Sequence, residues 1–342
     1  MELSWATYRI ECTHPFGLSR GTVNYYDIVY IYLTGDGFIG RGEAAPSKRY
    51  DESTSAIVDL LEKGIEIPSL DDEYESWENK LTGQTIGIKA LESALSMAAL
   101  DWWCQRDEIP LHQLLHANKD ATPQTSFTVA IGDLDEIPQK IKEAKPYAII
   151  KVKLGTDEDK EIINAVRGCT DKPIRVDANE GWTLAQGIEM CQWLSERNVQ
   201  FVEQPLPSDS LDESSVLRDE SPLPIFADEN SISAEDIPKI AYAFDGINIK
   251  LMKCGSLFEA KRMIESARKH DLKIMLGCMV ESSIGITAAA HLSPLVDFAD
   301  LDGNLLISND PYQGVSVENG KLVLPDGNGA GITLRSGIEG LI

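Results

Sequence analysis

From residue 126 onward the sequence repeats one short phrase: a run of apolar or β-branched residues, then an amphipathic helical stretch. Eight such runs occur: SFTVAI (126–131), AIIKVKLG (148–155), PIRVDAN (173–179), VQFVEQP (199–205), PIFADE (224–229), GINIKL (246–251), KIMLGC (273–278) and DFADLD (297–302). Strands joined through helices lie parallel, with right-handed crossovers and the helices outside. Eight in succession predict an α/β fold, a TIM-like barrel of the (β/α)₈ type. A doubly wound open sheet is the structural alternative.

The residues before and after this repeat read differently. Residues 5–11 and 27–34 alternate as strands, TGDG at 34–37 is a hairpin-type turn, and 13–25 reads as a loop. Residues 53–64 and 87–105 read as helices, with Leu91, Leu95, Ala98 and Trp102 at helical spacing. Three parts follow: a small α+β domain over 1–120, the barrel over 121–302, and a terminal segment over 303–342. In the last, GVSVENGKLVLPDGNG (314–329) reads as a hairpin returning to the first domain.

Bulk properties narrow the partners. The formal charge is −24, which disfavours nucleic acid and anionic membrane surfaces. The first residues, MELSWATYRIECTHPFG, carry no basic segment followed by an apolar one, and no long apolar run follows. The six cysteines are scattered without a C-x-x-C pair, which suits reduced thiols in the cytoplasm. A homo-oligomer is left open.

The ionisable residues carry the chemistry. Lys151 and Lys153 sit on one face of the second strand, because alternate side chains of a strand point the same way. Asp177, Glu203, Asp228 and Lys250 close the next four strands, and Asp300 and Asp302 close the eighth. In a parallel barrel these ends form one mouth, where such barrels do chemistry. Three neighbouring carboxylates need a cation, and an oxygen-only set without His or Cys suits one Mg²⁺. Lys151 and Lys153 lie on one side of this group and Lys250 on the other. Burial and a neighbouring cation lower a lysine pKa toward that of a base, so Lys153 is read as a base depressed by Lys151. A base on each face of a metal-bound carboxylate abstracts an α-proton through a stabilised enediolate and returns it on the opposite side. That reaction is racemisation or epimerisation.

KVK (151–153), VDAN (176–179), VEQP (202–205), ADE (227–229), NIKLMKCG (248–255) and GRGEAAP (40–46) together resemble the enolase superfamily, in its muconate-lactonising-enzyme-like subgroup. The resemblance implies an α+β capping domain over a (β/α)₇β barrel. DLD at 300–302 looks like the D-x-D of dipeptide epimerases of the L-Ala-D/L-Glu type. It implies a dipeptide whose carboxylate sits on Mg²⁺ and whose amine meets Asp300 and Asp302, since paired carboxylates receive an ammonium. Reaction then falls at the α-carbon of the second residue. By position, Thr128 and Cys278 are further pocket contacts. The capping loops would read the second side chain, through Arg20 if it is acidic or through Phe16 and Leu18 if it is aliphatic; Lys48, Arg49 and Tyr50 lie in the second loop. Lys253, three residues beyond Lys250, leaves the strand face and reads as a structural surface lysine. Glu281 is either a partner of a site residue or a cap. The competing readings are another reaction of the superfamily (cycloisomerase, o-succinylbenzoate synthase or acid-sugar dehydratase) and a metal-independent Schiff-base lyase using Lys153 or Lys250.

Overall fold

The structure is a computed structural model describing residues 1–70 and 73–338; residues 339–342 of the expected terminal segment lie outside the described residues. It opens with a three-stranded antiparallel sheet: β1 (Glu2–Leu18), β2 (Gly21–Gly35) and β3 (Phe38–Ala44). The β2–β3 turn places Asp36 and Gly37 at φ 51° and 84°, the left-handed pair a two-residue hairpin requires.

The expected loop over 13–25 is instead mostly strand. β1 and β2 pair from Glu2↔Thr34 to Glu11↔Tyr25, slip, and pair again from Phe16↔Val23 to the tip at Leu18↔Gly21. In this outer arm residues 21–25 of β2 are all exposed, and the less exposed positions of β1 include His14 and Gly17, so the sequence shows no apolar alternation and reads as loop. Backbone pairing needs none.

The sheet lies on α3 (Lys89–Arg106), with α1 (Thr54–Lys63) and α2 (Tyr74–Thr82) beside it. A Cβ on Gly40 or Gly42 would come 1.9 Å from the carbonyl of Ala98 or Ala94. Only glycine permits so close an approach.

Eight parallel strands follow: β4 (Ser126–Val129), β5 (Ile149–Lys153), β6 (Ile174–Asp177), β7 (Val199–Glu203), β8 (Ile225–Ala227), β9 (Gly246–Ile249), β10 (Lys273–Gly277) and β11 (Phe298–Asp300). They pair in sequence order, and a parallel bridge between Thr125 and Ala299 closes the ring. Helices occupy each connection from β4 to β11, giving (β/α)₇β rather than an open sheet.

Inward side chains fill the barrel in two layers. The lower one is aromatic: Phe201 and Phe226 stack at 4.2 Å and Phe298 meets both, with Met275 beside them. Arg175 is buried among them, 5.1 Å from the Phe298 ring, and donates to Ala299 O at 2.6 Å. This layer plugs the amino end, so polar groups in the upper layer face only the other mouth.

The terminal segment makes two kinds of contact. The 314–329 stretch does form a hairpin, Ser316–Glu318 against Lys321–Val323. Its own bonds go to the lead-in to β4: Thr122 Oγ1 donates to Leu322 O at 2.7 Å, and Thr125 N to Gly320 O at 2.9 Å. The residues around it reach the first sheet and α3. Tyr312 and Tyr32 share a hydroxyl bond of 2.7 Å, and Ala330 N donates to Asp101 at 2.8 Å. No helix among the described residues is long and apolar enough to cross a membrane.

Candidate active site

The upper layer is made by strand parity. Arg175 and Asp177, Phe201 and Glu203, Phe226 and Asp228 are each two residues apart, so each aromatic or cationic plug carries a carboxylate above it. Lys153, Asp177 and Glu203 are register partners across β5, β6 and β7. Asp228 and Lys250 each stand one residue beyond β8 and β9.

Asp177, Glu203 and Asp228 each bring one oxygen to within 4.8 Å of the others, and all three are buried. Glu203 Oε1 accepts from Asn248 Nδ2 at 2.7 Å. Its Oε2 accepts no aligned hydrogen bond, although Lys151 Nζ lies 2.7 Å away. Burial and Asp177 push the Glu203 carboxyl up to about 7. A buried, under-bonded oxygen in an all-carboxylate set fits a hard divalent cation such as Mg²⁺.

The ammonium groups surround this set. Lys153 Nζ donates to Asp177 Oδ2 at 2.6 Å. Lys151 Nζ lies 2.6 Å from Asp300 Oδ2 and 3.2 Å from Asp177 Oδ2. Lys250 Nζ donates to Asp228 Oδ2 at 2.7 Å. β5 and β9 are four strands apart in a ring of eight, so Lys153 and Lys250 stand on opposite walls. The carboxylates come from the three strands between them.

The carboxylates act on the pKa of two of these lysines. Burial pushes Lys151 down, but Asp300, Glu203 and Asp177 outweigh it, and its pKa rises well above the usual lysine value. Lys250 also rises, since Asp228 and Glu203 outweigh its burial. With carboxylates against them, Lys151 and Lys250 shift opposite to the lowering that burial alone would cause. The carboxylates respond in kind. Burial raises Asp177, yet Lys153 and Lys151 bring it to about 2.

Lys253 is the residue that sequence reasoning misplaced. It is no surface lysine: its side chain is fully buried. Nζ donates to Asp228 Oδ1 at 2.6 Å, to Asp228 O at 2.5 Å and to Asn248 O at 3.0 Å. The helical turn Leu251–Cys254 folds it back beneath Asp228, and the i,i+3 spacing from Lys250 was the available signal. Asn248 was also missed, although it shares an inward face with Lys250. Gly277 makes room for it, since a Cβ there would lie 2.5 Å from the Asn248 amide.

Asp300 and Asp302 are both buried at the end of β11, but neither is a free carboxylate. Asp300 accepts from Lys151 and, at 2.6 Å, from Ser126 Oγ. Asp302 Oδ2 accepts from Thr128 N at 2.6 Å, and burial beside Asp300 pushes it up to about 7. Cys278 Sγ donates to Asp300 O at 3.3 Å, and burial raises its thiol pKa. Thr128 and Phe16 line a cavity of about 40 Å³ together with His14, Phe127, Leu305 and Leu306.

The capping residues divide. Arg20, at the hairpin tip, does not reach the carboxylate set; it donates to Glu180 at 3.1 Å and Glu229 at 3.2 Å. Arg49 holds Glu180 with two bonds, 2.8 and 2.9 Å. Lys48 is exposed. Tyr50 lies close enough that Asp228 adds to its burial in raising its phenol. Glu281 is neither exposed nor a helix cap. It accepts from Met279 N at 2.7 Å, and burial beside Glu43 pushes it up to about 8.

Comparison with known proteins agrees with this geometry. Residues 135–338 match the enolase C-terminal domain-like family. An L-Ala-D/L-Glu epimerase of Bacteroides thetaiotaomicron is 38% identical over 339 residues, 97% of this chain and 88% of its own. A hydrophobic dipeptide epimerase of a Flavobacteria bacterium is 35% identical over 98% of this chain and 99% of its own. The dipeptide epimerase of Cytophaga hutchinsonii, solved with Mg and D-Ala-L-Val, superimposes with a TM-score of 0.89 at 28% identity, covering 98% of this chain and 96% of that one. The chain therefore belongs to the enolase superfamily, on the branch that holds the dipeptide epimerases.

Proposed function

We propose that this protein is a Mg²⁺-dependent dipeptide epimerase, acting on Ala-Xaa dipeptides at the α-carbon of the C-terminal residue. One observation carries the reading: two lysines on opposite walls of the barrel face each other across three clustered carboxylates. Asp177, Glu203 and Asp228 would hold the ion. When bound, it supplies Lewis acidity that makes the proton beside the substrate carboxylate easier to remove.

Lys153 and Lys250 exchange that proton. One Nζ takes it from its own side of the α-carbon, and the other returns one from the opposite side, so configuration inverts. Lys151 compensates Asp177, Glu203 and Asp300, which keeps the acidic wall from repelling a carboxylate substrate. Asp302, with Asp300, receives the substrate ammonium; the Thr128 backbone N–H holds the Asp302 carboxylate, and the Cys278 thiol bonds the Asp300 backbone carbonyl. The aromatic plug below closes the amino end of the barrel and keeps water from that side. The six free cysteines fit the reducing, cytoplasmic setting expected from their spacing.

The test is incubation with Mg²⁺ and L-Ala-L-Xaa dipeptides in deuterated water, read by mass and NMR. One deuterium should enter the second α-carbon as the epimer appears, and a chelator should stop both. Turnover unaffected by chelator, or trapping of the protein by borohydride, overturns the reading in favour of a lyase.

A further inference from the structure

Asp228 is the one of the three clustered carboxylates held by a different lysine on each oxygen; Asp177 has Lys153 and Lys151 both on Oδ2. The two grips on Asp228 differ in kind. Lys250 Nζ has one hydrogen bond, to Asp228 Oδ2, and its side chain keeps 7% exposure. An ammonium has three protons, so two of its donor positions are uncommitted. Lys253 Nζ has three acceptors, and its side chain has no exposure. All three of its protons are spent. A neutral amine, with only two protons, would leave one of the three close oxygens facing a lone pair. The charged form satisfies the site.

Lys253 therefore cannot reach a substrate, but it can do something for Lys250. A buried aspartate stripped of its cation is strongly destabilised. Without Lys253, and before an ion is bound, Lys250 would be the sole counter-charge of Asp228, and moving its ammonium would incur that cost. Lys253 removes the obligation. It also ties the Asp228 carboxylate and carbonyl to the end of β9 through Asn248 O, so the strand that delivers Lys250 and the residue it leaves stay in register. On the other wall the second lysine of Asp177, Lys151 at 3.2 Å, is shared with Glu203 and Asp300.

We infer that Lys253 is a positioning residue for one face of the reaction: it holds Asp228 permanently, so that Lys250 is free to exchange a proton with substrate. The inference rests on the proposed epimerisation for its stereochemical consequence, though not for its effect on Asp228. The test uses Lys253→Met and Lys253→Gln in the full chain, folding checked by circular dichroism. Solvent deuterium exchange is measured separately for substrates of the two α-configurations. Mn²⁺ binding to the substrate-free protein is followed by electron paramagnetic resonance.

The expected result is asymmetric. Exchange from the configuration served by Lys250 falls by about 10- to 100-fold, as when a partner that orients a working group is removed, while the configuration served by Lys153 changes by less than about threefold. The face assigned to Lys250 is the one that the Lys250→Ala variant abolishes. Mn²⁺ affinity falls by about tenfold in Lys253→Met and less in Lys253→Gln, which still donates one hydrogen bond. Equal losses on both faces, or unchanged exchange with unchanged Mn²⁺ affinity, overturn the proposal. If Lys253→Met does not fold, the Gln variant decides by the same criteria. A wild-type protein that exchanges neither configuration defeats the epimerase reading. The Mn²⁺ titration then still tests whether Lys253 holds Asp228, and unchanged affinity there overturns that part too.

Discussion

The two cationic walls of the barrel mouth solve the same problem differently. On the β5 wall both lysines come from one strand, two residues apart, and one of them, Lys151, is spread over three carboxylates. On the β9 wall one lysine ends the strand and the other lies on the following helical turn, and both serve a single carboxylate. The first arrangement makes a network, in which losing one member exposes several charges. The second makes a pair with a spare. Buried charges tolerate the loss of a partner only when another remains, so the walls should respond unequally to the same kind of substitution.

The largest effects should come from the working lysines. Lys153→Ala and Lys250→Ala should each lower exchange by about 10²- to 10⁴-fold for one substrate configuration and not for the other. Loss of both configurations in each variant would break the comparison at its root. Next is the triad: Asp228→Asn should weaken Mg²⁺ binding by about 100-fold, measured by calorimetry, with the barrel still folded. Gross unfolding in excess Mg²⁺ would make Asp228 a scaffold residue.

The network wall should show itself in stability. Lys151→Met leaves Asp177, Glu203 and Asp300 facing one another and should cost about 3–5 kcal/mol by urea unfolding, with part recovered by excess Mg²⁺. Lys253→Met leaves Asp228 with Lys250 and should cost less. The reverse order would refute the contrast between network and spare.

A smaller effect concerns Glu281, outside both walls. Its carboxyl is raised from the usual range to about 8 by burial and by Glu43. The fold therefore favours its protonated form, and stability should fall as pH rises from about 4.5 to about 8. Glu281→Gln, which cannot ionise, should make the fall of the melting temperature across that window shallower, the other raised buried carboxyls such as Glu43 and Glu78 supplying the rest; an unchanged slope would remove Glu281 from the account. Smallest in stability is Arg20→Ala, within about 0.5 kcal/mol, because Arg20 is part-exposed and Glu180 keeps Arg49. Its kinetic effect sharpens the role of the hairpin tip. kcat/KM should drop more for an acidic second residue than for an aliphatic one.

Much of the site was legible because strand parity is local. Lys151 and Lys153 had to share a face, as did Arg175 and Asp177, whatever surrounded them. The outer arm of the first hairpin was not legible, because its β2 half is exposed throughout and the covered positions of its β1 half include His14 and Gly17 rather than an apolar series. Lys253 was misread for a related reason. Once the chain leaves β9 the period changes from two to helical, and a lysine expected to point away from the strand is turned back under Asp228. The upward shift of Lys151 was not legible because it depends on how many carboxylates approach its ammonium.

The order of strands, the wall each ionisable residue joins and the all-oxygen donor set follow from the sequence alone, since spacing along a strand dictates which way a side chain points. Only the tertiary structure decided the pairings: Lys151 with Asp300, 149 residues away, Lys253 beneath Asp228, and Asp302 held by Thr128. Those choices turn on separations of a few ångströms between strands remote in the chain, and the energy of a buried charge depends on such distances far more steeply than on position in the sequence.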